Sequence, residues 1–293
     1  MVETLNTAFR DHIKRVMAVS KAPAVITEDV VYQEGNPDAL AIVDEMVEYL
    51  ILPGSGMDGL ENLEELLEKA KTGKSCLLLV EHYSNMDLSI VSLFARKAGG
   101  KGKEIGDSIL AIAGMKLNED NPVVAAFAGA YSRIIIYPSR SIQDMDPEKD
   151  KDEILRANAI NRAAMKAIIR QKYKGNIVLV FPSGTRYRAW DPDSKKGVRD
   201  IDSYVRSFDY LCFAAINGEV LHVQRTDMMN DAVSKDLVRV TISPVLSCDE
   251  FRRKALESLS EEADKKQKIA DQIMIELEKL HIDAEKKREK LLD

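Results

Sequence analysis

The sequence contains few cysteines, and they lie far apart. Cys76, Cys212 and Cys248 are the only three among 293 residues. Nothing around them resembles the paired spacing of metal ligands, so no metal site is expected. An unpaired cysteine behaves as a small apolar side chain, and disulfides are rare in the cytoplasm. We therefore predict three buried free thiols in a reducing compartment.

Long apolar runs are also missing. The longest ones, such as VVAAFAGAY at 123–131, fall well short of the ~20 residues that a membrane-spanning helix needs. The amino terminus has Glu3 where a signal peptide would be basic, and no apolar stretch follows it. These features predict a cytoplasmic protein whose contact with a membrane, if any, is peripheral and at the inner face.

The chain lacks the basic excess of a nucleic-acid-binding protein. Its formal net charge is −6 and its pI is about 5.5, so no nucleic-acid partner is expected. A local basic site is compatible with that balance, because net charge does not determine where arginines cluster. The sequence also has no G-x-S-x-G motif, which argues against a serine hydrolase with a nucleophile elbow.

What the chain does contain is an alternation of short β-like runs and helical segments. Two helical segments stand out, at 87–98 and at 152–173. Strands that alternate with helices are typical of an α/β fold, and we predict a mixed sheet flanked by helices. The runs predicted as strands are CLLLV at 76–80, ILAIA at 109–113, RIIIY at 133–137, NIVLVF at 176–181, YLCFAAI at 210–216 and LVRVTI at 237–242.

The two ends of the chain differ from its middle. Residues 1–58 predict a small N-terminal helical region, in which Asn36 and Pro37 mark a helix start, and the α/β domain then takes up residues 59–293. The tail from Ser260 onward is heavily charged but carries one apolar stripe at helical spacing. This stripe predicts a carboxyl-terminal helix docked on the domain, with a partner-binding helix as the alternative. The stripe consists of Ile269, Ile273, Leu277 and Leu280.

His82 and Asp87 lie five positions apart, directly after the apolar run at 76–80. A regular helix would place them about 140° apart, and an extended strand would separate them by more than ~15 Å. They can meet only if the chain turns between them, and the polar residues at 83–85 favour a turn. The spacing therefore predicts a strand, a turn and a helix, with Asp87 reaching back to His82. A carboxylate on one ring nitrogen makes the other a better general base for a hydroxyl.

A second stretch, NIVLVFPSGTRYRAW at 176–190, ends an apolar strand in a Pro-Ser-Gly turn. Gly184 allows a ligand to approach the backbone closely, and Arg186 and Arg188 alternate out of the turn as a fork for a phosphate. The alternative is an ordinary turn with two solvated arginines. In RIIIYPSR a strand delivers Arg140 into a loop, where it is either a ligand-binding or a surface residue.

In this order, the three motifs resemble those of the glycerolipid acyltransferase superfamily. The motifs are H-x4-D at 82–87, the strand and basic block at 133–140, and F-P-S-G-T-R at 181–186. The likeness is strongest to the soluble, chloroplast-type glycerol-3-phosphate acyltransferases, and it extends from about Leu60 to Arg188. His222 and Asp227 repeat the H-x4-D spacing without these companions, so we assign them a structural role.

The chain departs from the chloroplast pattern at a few positions. Ser139, Arg140 and Ser141 stand where that pattern has a Lys-Lys-His run. Membrane-bound relatives usually carry a glutamate at the position of Ser183, and Thr185 is closer to their residue than to the chloroplast glycine. These departures leave the identity of the acyl acceptor open.

The resemblance implies transfer of a fatty acyl group from a thioester to the sn-1 hydroxyl of glycerol 3-phosphate, the first step of phospholipid biosynthesis. The thioester is carried by acyl carrier protein or coenzyme A as a co-substrate, and no cofactor is expected. His82 would act as the general base and Asp87 as its partner, within a catalytic domain spanning 59–293. The implied substrate-binding residues are Arg140, Ser183, Gly184, Arg186 and Arg188.

Three other functions compete with this interpretation. Within the same chemistry, the acceptor is instead lysophosphatidate. Outside it, GSGMDG at 54–59 matches the G-x-G-x-x-G motif of NAD-dependent oxidoreductases, with Glu81 as the distant acid. Pro53 and the helix predicted before it argue against a nucleotide loop, and a capping box of Asp58 and Glu61 explains the loop without a ligand. A non-catalytic lipid-carrier or scaffold protein is the third alternative.

Overall fold

The computed structural model describes residues 3–23, 25–115, 121–257 and 264–292. The strands in this part of the chain are β1 Tyr32–Gln33, β2 Gly56–Asp58, β3 Cys76–Val80, β4 Ile109–Gly114, β5 Arg133–Ile136, β6 Ile177–Val180, β7 Tyr210–Asn217, β8 Leu221–His222, β9 Ala232–Val233, β10 Arg239–Ile242 and β11 Leu246–Ser247. The helices are α1 Leu5–Ala8, α2 Arg10–Val19, α3 Pro37–Leu50, α4 Leu60–Lys71, α5 Asp87–Lys97, α6 Gly102–Ser108, α7 Pro122–Ala128, α8 Ser139–Gln143, α9 Lys151–Gln171, α10 Ile201–Ser207, α11 Cys248–Leu256 and α12 Lys265–Leu292. Short 3₁₀ turns cover Glu28–Val30, Pro192–Lys195 and Met228–Asn230.

The main sheet has the strand order β1-β5-β4-β6-β3-β7-β10-β2, with β11 paired to β7. Its five central strands, from β5 to β7, are parallel, whereas β1, β10 and β11 pair antiparallel to their neighbours. The prediction of an α/β fold with a mixed sheet is confirmed. All six predicted strands are present, and their ends agree with the prediction to within two residues.

Helices cover both faces of this sheet, which explains why its strands read as unbroken apolar runs. Every residue of β3 is fully buried. Because side chains alternate along a strand, Leu78 packs with the core under α3 to α6, and Leu77 packs with the core under α9 and α12. The central strands are thus fixed from both sides, and their carboxyl ends meet at one edge.

The N-terminal residues contribute to both edges of the sheet. Strand β1 pairs with β5, and β2 pairs with β10 at the opposite edge. Helix α3 begins as predicted, with Pro37 in its first turn and the Asn36 side chain accepting a hydrogen bond from the Asp38 N–H at 3.0 Å. Leu5 and Phe9 are buried in the main core.

Within the glycine-containing segment 54–59, residues Gly56–Asp58 form strand β2 at one edge of the sheet. The capping box predicted for Asp58 and Glu61 is wrong. Gly59 precedes helix α4 in a left-handed conformation, with no side-chain cap, and the Asp58 carboxylate instead pairs with Arg239 on the neighbouring strand. Glu81 follows β3, three strands away from β2 in the sheet, or roughly 14 Å at the usual spacing.

The predicted docking of the tail helix and the predicted burial of three free thiols are confirmed where the structure describes these residues. Ile269, Ile273 and Leu277 are fully buried on α12, and Leu280 packs against the same core; Ser260, where the predicted tail starts, lies outside the described residues. The three cysteines are free and buried. Burial raises the pKa of the Cys76 thiol to about 12.

No helix among the described residues combines the length and the apolar character that crossing a lipid bilayer requires.

Candidate active site

His82 and Asp87 meet at the carboxyl edge of the parallel strands. Strand β3 ends at Val80, the chain turns, and α5 begins at Asp87. His82 Nδ1 lies 2.9 Å from Asp87 Oδ2. The predicted strand, turn and helix are therefore confirmed, including the contact between the two side chains. Ligand sites of open α/β sheets usually lie at this edge.

The Asp87 carboxylate is buried, and groups of the preceding loop donate hydrogen bonds to it. Its side chain is 2% exposed. Oδ2 accepts from the backbone N–H of Tyr83 at 2.6 Å and of Ser84 at 2.9 Å, and the Ser84 hydroxyl donates to Oδ1 at 2.8 Å. Hydrogen bonds to a charged acceptor offset its desolvation and fix its position. The carboxylate thereby holds both the loop and the imidazole.

The imidazole is held on its face as well as at its edge. Its ring stacks on Phe181, with centroids 4.0 Å apart and planes 15° from parallel. The His82 carbonyl also accepts a hydrogen bond from the Tyr187 N–H at 2.7 Å. Because the Asp87 carboxylate can only accept a hydrogen bond, the neutral ring donates its Nδ1–H to Asp87, and Nε2 carries the lone pair. The F-P-S-G-T-R segment and the H-x4-D motif are thus in direct contact.

A largely apolar cavity of about 250 Å³ opens beside His82, and we call it the main cavity. It runs under α7 along the face of β4, where the small side chains of Ala111 and Ala113 leave space. His82, Arg140 and Gly184 also line it. Its apolar walls include Val43, Met86, Leu88, Val124, Phe127 and Ile136. A base next to an apolar cavity can act on one end of a chain-like substrate.

The Pro-Ser-Gly turn shapes one wall of the main cavity. Gly184 has φ +64°, and its N–H donates to the Phe181 carbonyl at 3.0 Å. A Cβ there would lie 3.2 Å from a methyl carbon of Val198, so the turn needs glycine for both conformation and space. Ser183 is buried, and its hydroxyl donates to the Thr185 carbonyl at 2.7 Å.

The two arginines after this turn bind different carboxylates. Arg186 pairs with Asp231, which is completely buried, and the Arg186 side chain is itself only 12% exposed. The Arg188 side chain is 40% exposed and lies 3.8 Å from Asp191. The structure therefore does not present them as one unoccupied fork. A phosphate at Arg186 would compete with Asp231.

Arg140 lies in helix α8, at the carboxyl end of β5. Its side chain is exposed, and it lines the main cavity together with His82. The neighbouring Ser139 hydroxyl binds Asp200, another residue of the cavity wall. Of the three predicted arginines, Arg140 is the one that the structure brings into the same cavity as His82.

The second H-x4-D pair does not form. His222 Nε2 lies 2.8 Å from the Ser234 hydroxyl, and Nδ1 lies 3.1 Å from a carboxylate oxygen of Glu219. Asp227 instead accepts from the Met229 N–H at 2.8 Å and caps a 3₁₀ turn. Without a turn that folds back, equal spacing does not produce a pair.

A second histidine–carboxylate pair lies next to the first and was not predicted. Glu81 is buried, and one of its oxygens lies 2.9 Å both from His281 Nδ1 on α12 and from the Ile216 N–H. The Tyr83 hydroxyl donates to its other oxygen at 3.2 Å, and burial together with Glu81 raises the pKa of Tyr83. The sequence signal was an acidic residue that directly continues an apolar strand.

His281 is held in a charged environment. Burial alone would lower the pKa of His281, but the hydrogen bond to Glu81 and the charge of Glu81 outweigh burial and raise it. A cavity of about 250 Å³, the helix cavity, separates α12 from the loops and is lined by residues including His82, Lys195 and Glu278. His82 therefore has a cavity on each side.

The sequence is similar to that of a known enzyme. Over 162 residues it is 26% identical to the chloroplastic glycerol-3-phosphate acyltransferase of Spinacia oleracea. The similarity is to an acyltransferase. It covers 55% of this chain and 31% of the spinach protein, so the chain spans about a third of the length of the curated relative it matches. No family model matches the sequence. At this identity the comparison supports an acyltransferase relationship at most.

Proposed function

We propose that the protein transfers a fatty acyl group from a thioester to the sn-1 hydroxyl of glycerol 3-phosphate. The observation that carries this proposal is the arrangement around His82. Its imidazole is fixed by the buried Asp87 carboxylate, stacks on Phe181 and lines an apolar cavity with Arg140. The distant similarity to the spinach acyltransferase supports the same reaction class.

In the proposed mechanism, His82 Nε2 removes the proton of the acceptor hydroxyl. The resulting alkoxide attacks the thioester carbonyl and forms the new C–O bond. The tetrahedral intermediate then breaks its C–S bond, and the thiolate leaves with the proton held by the imidazolium. Asp87 orients the ring and stabilises its positive charge between the two proton transfers. General acid–base catalysis of this type contributes about 10²–10⁴-fold to the rate.

The acceptor phosphate would be positioned by the guanidinium groups of the three predicted arginines. Arg140 is exposed and lines the same cavity. Arg188 is partly exposed, and its distance of 3.8 Å from Asp191 leaves it free to bind another anion. Arg186 would take part if phosphate displaced Asp231. Holding the anionic end of the acceptor makes the reaction effectively intramolecular.

The acyl chain would lie in the main cavity, with the thioester at the His82 end. The apolar walls of the cavity suit an alkyl chain, and Gly184 would let the substrate approach the backbone of the turn. Acyl carrier protein or coenzyme A would carry the thioester. On this proposal the protein meets membranes peripherally, at the inner face, where its lipid product is used.

An assay that crosses two acceptors with two donors tests the proposal. The acceptors are glycerol 3-phosphate and lysophosphatidate, and the donors are acyl-carrier-protein and coenzyme A thioesters. Turnover is expected with glycerol 3-phosphate, and His82→Ala should abolish it. His222→Ala is the matched control and should keep most of it, because the His222 ring contacts Ser234 and Glu219 and does not line the main cavity. Equal losses in the two variants, or turnover only with lysophosphatidate, would reject the proposal.

A further inference from the structure

Arg133 is a buried guanidinium without a partner. It opens strand β5 and is 2% exposed, and none of its three guanidinium nitrogens has a hydrogen-bond partner within the described part of the chain. Arg288, which is also buried, shows the usual solution, because it donates to the Leu237 carbonyl and pairs with Glu285 and Asp236. A buried charge normally requires such partners. A bound anion would supply the hydrogen-bond acceptors that the Arg133 guanidinium lacks.

The position of Arg133 is the inner end of the main cavity. Its Cα is paired across the sheet with Ala111, which is level with Leu78 on β3. His82 comes four residues after Leu78, and β5 lies three strands from β3. These offsets place the two backbones roughly 20 Å apart. Arg133 and His82 line the same cavity of about 250 Å³, so the space between them is long and narrow.

Arg133 also forms the wall to a second cavity, of about 600 Å³, which we call the outer cavity. The titratable residues lining the outer cavity besides Arg133 are two carboxylates, Asp29 and Glu34, one ammonium group, Lys21, and the phenol of Tyr32. The carboxylates outnumber the ammonium group, so an anion is disfavoured on that side. An anion therefore reaches Arg133 more favourably through the main cavity.

A guanidinium favours one ligand chemistry in particular. Its planar fork binds a carboxylate with two parallel hydrogen bonds. Burial lowers the pKa of Arg133 to about 10, so the group remains charged at neutral pH. The rest of the cavity is mainly apolar, which suits a ligand with an alkyl middle and an anionic end.

We propose that Arg133 binds the carboxylate at the far end of a straight-chain ligand whose other end lies beside His82. The substrate class rests on the proposed function. If the protein is an acyltransferase, this ligand is an acyl thioester with a second carboxyl group at the far end of its chain. An acyl chain that ends in a methyl group would leave the guanidinium unpaired. The protein would therefore prefer dicarboxylic half-thioesters over acyl donors of equal length that lack the second carboxyl group.

Binding is tested first, without turnover. Monomethyl esters of linear dicarboxylic acids and methyl esters of saturated fatty acids, in a matched series of chain lengths, are titrated calorimetrically into the protein. The half-ester should bind about ten- to a hundredfold more tightly, as expected for a hydrogen-bonded charge pair. Arg133→Met should remove this preference, and Arg133→Gln serves as a second variant that keeps a polar side chain. Arg170→Met, at an exposed position on α9, is the charge-matched control and should keep the preference.

Two results would overturn this assignment. One is an equal preference for the half-ester in the wild type and in both Arg133 variants. The other is tight binding of acetate or inorganic phosphate that blocks the half-ester, which would mark a site for small free anions reached from the outer cavity.

Turnover separates this inference from the proposed function. With a dicarboxylic half-thioester as donor, Arg133→Met should lower kcat/KM about ten- to a hundredfold, whereas the control Arg170→Met should leave it unchanged. Half-ester binding without any turnover would keep the Arg133 site and reject the acyltransferase proposal. Turnover of donors without the second carboxyl group, combined with no binding preference for the half-ester, would keep the acyltransferase proposal and reject the Arg133 site.

Discussion

Two replacements of Asp87 separate its structural role from its proposed chemical role. In Asp87→Asn, the amide oxygen can take the place of Oδ2 and still accept from the Tyr83 and Ser84 N–H groups. The amide nitrogen can donate to the Ser84 hydroxyl, which lies 2.8 Å from Oδ1. In Asp87→Ala, all of these partners are lost. The two variants thus differ in hydrogen bonding, although both lack the negative charge beside His82.

The expected effects on stability follow from this count. A buried donor without a partner costs about 1–3 kcal/mol. Asp87→Ala leaves the Tyr83 and Ser84 N–H groups without an acceptor, so the free energy of unfolding of this variant should fall by about 2–6 kcal/mol. Asp87→Asn keeps both bonds and should lose no more than about 1–2 kcal/mol. Denaturant titrations followed by circular dichroism measure the difference.

The expected effect on turnover is the same in both variants. Without the carboxylate, the imidazolium that forms at His82 is no longer stabilised, and kcat should fall by about 10²–10⁴-fold in each. Stability and activity therefore separate in Asp87→Asn and fall together in Asp87→Ala. If the alanine variant proved as stable as the asparagine variant, the hydrogen-bond argument would be refuted. Full turnover in either would refute the role of the pair.

Other parts of the structure lead to further predictions. The pKa of His281 is raised in the fold, where Glu81 outweighs the opposing effect of burial; the contact therefore stabilises the fold fully below pH 6.5 and less as pH rises through the raised pKa. Thermal unfolding across this range should show that decline in the wild type but not in His281→Gln, and identical profiles would contradict it. Arg288→Met breaks a partly buried ion pair with Asp236 and should cost about 1–3 kcal/mol. Arg133→Met should instead stabilise the protein by about 3 kcal/mol, because the lowering of its pKa from 12.5 to about 10 is a penalty that applies in full at neutral pH. Denaturant unfolding of both variants checks the opposite signs.

Local patterns in the sequence were sufficient to predict the central sheet and the His82–Asp87 contact. The buried strands are continuous apolar runs because helices cover both faces of the sheet. Asp87 reaches His82 through a turn of three polar residues, so the contact depends on local chain geometry. Helix α3 likewise starts at a local signal, Asn36 with Pro37.

Partners distant in the chain could not be predicted in this way. Asp58 binds Arg239, 181 positions later, because their strands are neighbours at one edge of the sheet, and this pairing replaces the expected capping box. Arg186 likewise finds Asp231, 45 positions away. Topology decides which charges meet, and no local pattern encodes it. For the same reason, the sequence alone did not distinguish a buried Arg133 from an ordinary charge at the start of a strand.

Helix α12 is synthesised long after the loop that carries His82, although the two pack together. Until α12 leaves the ribosome, Glu81 has no histidine partner, and the part of β7 on which α12 packs lacks that cover. A nascent chain can therefore pair its central strands early but acquires its full set of loop contacts late. Proteins that bind exposed apolar surface during translation would have a defined interval in which to engage this sheet.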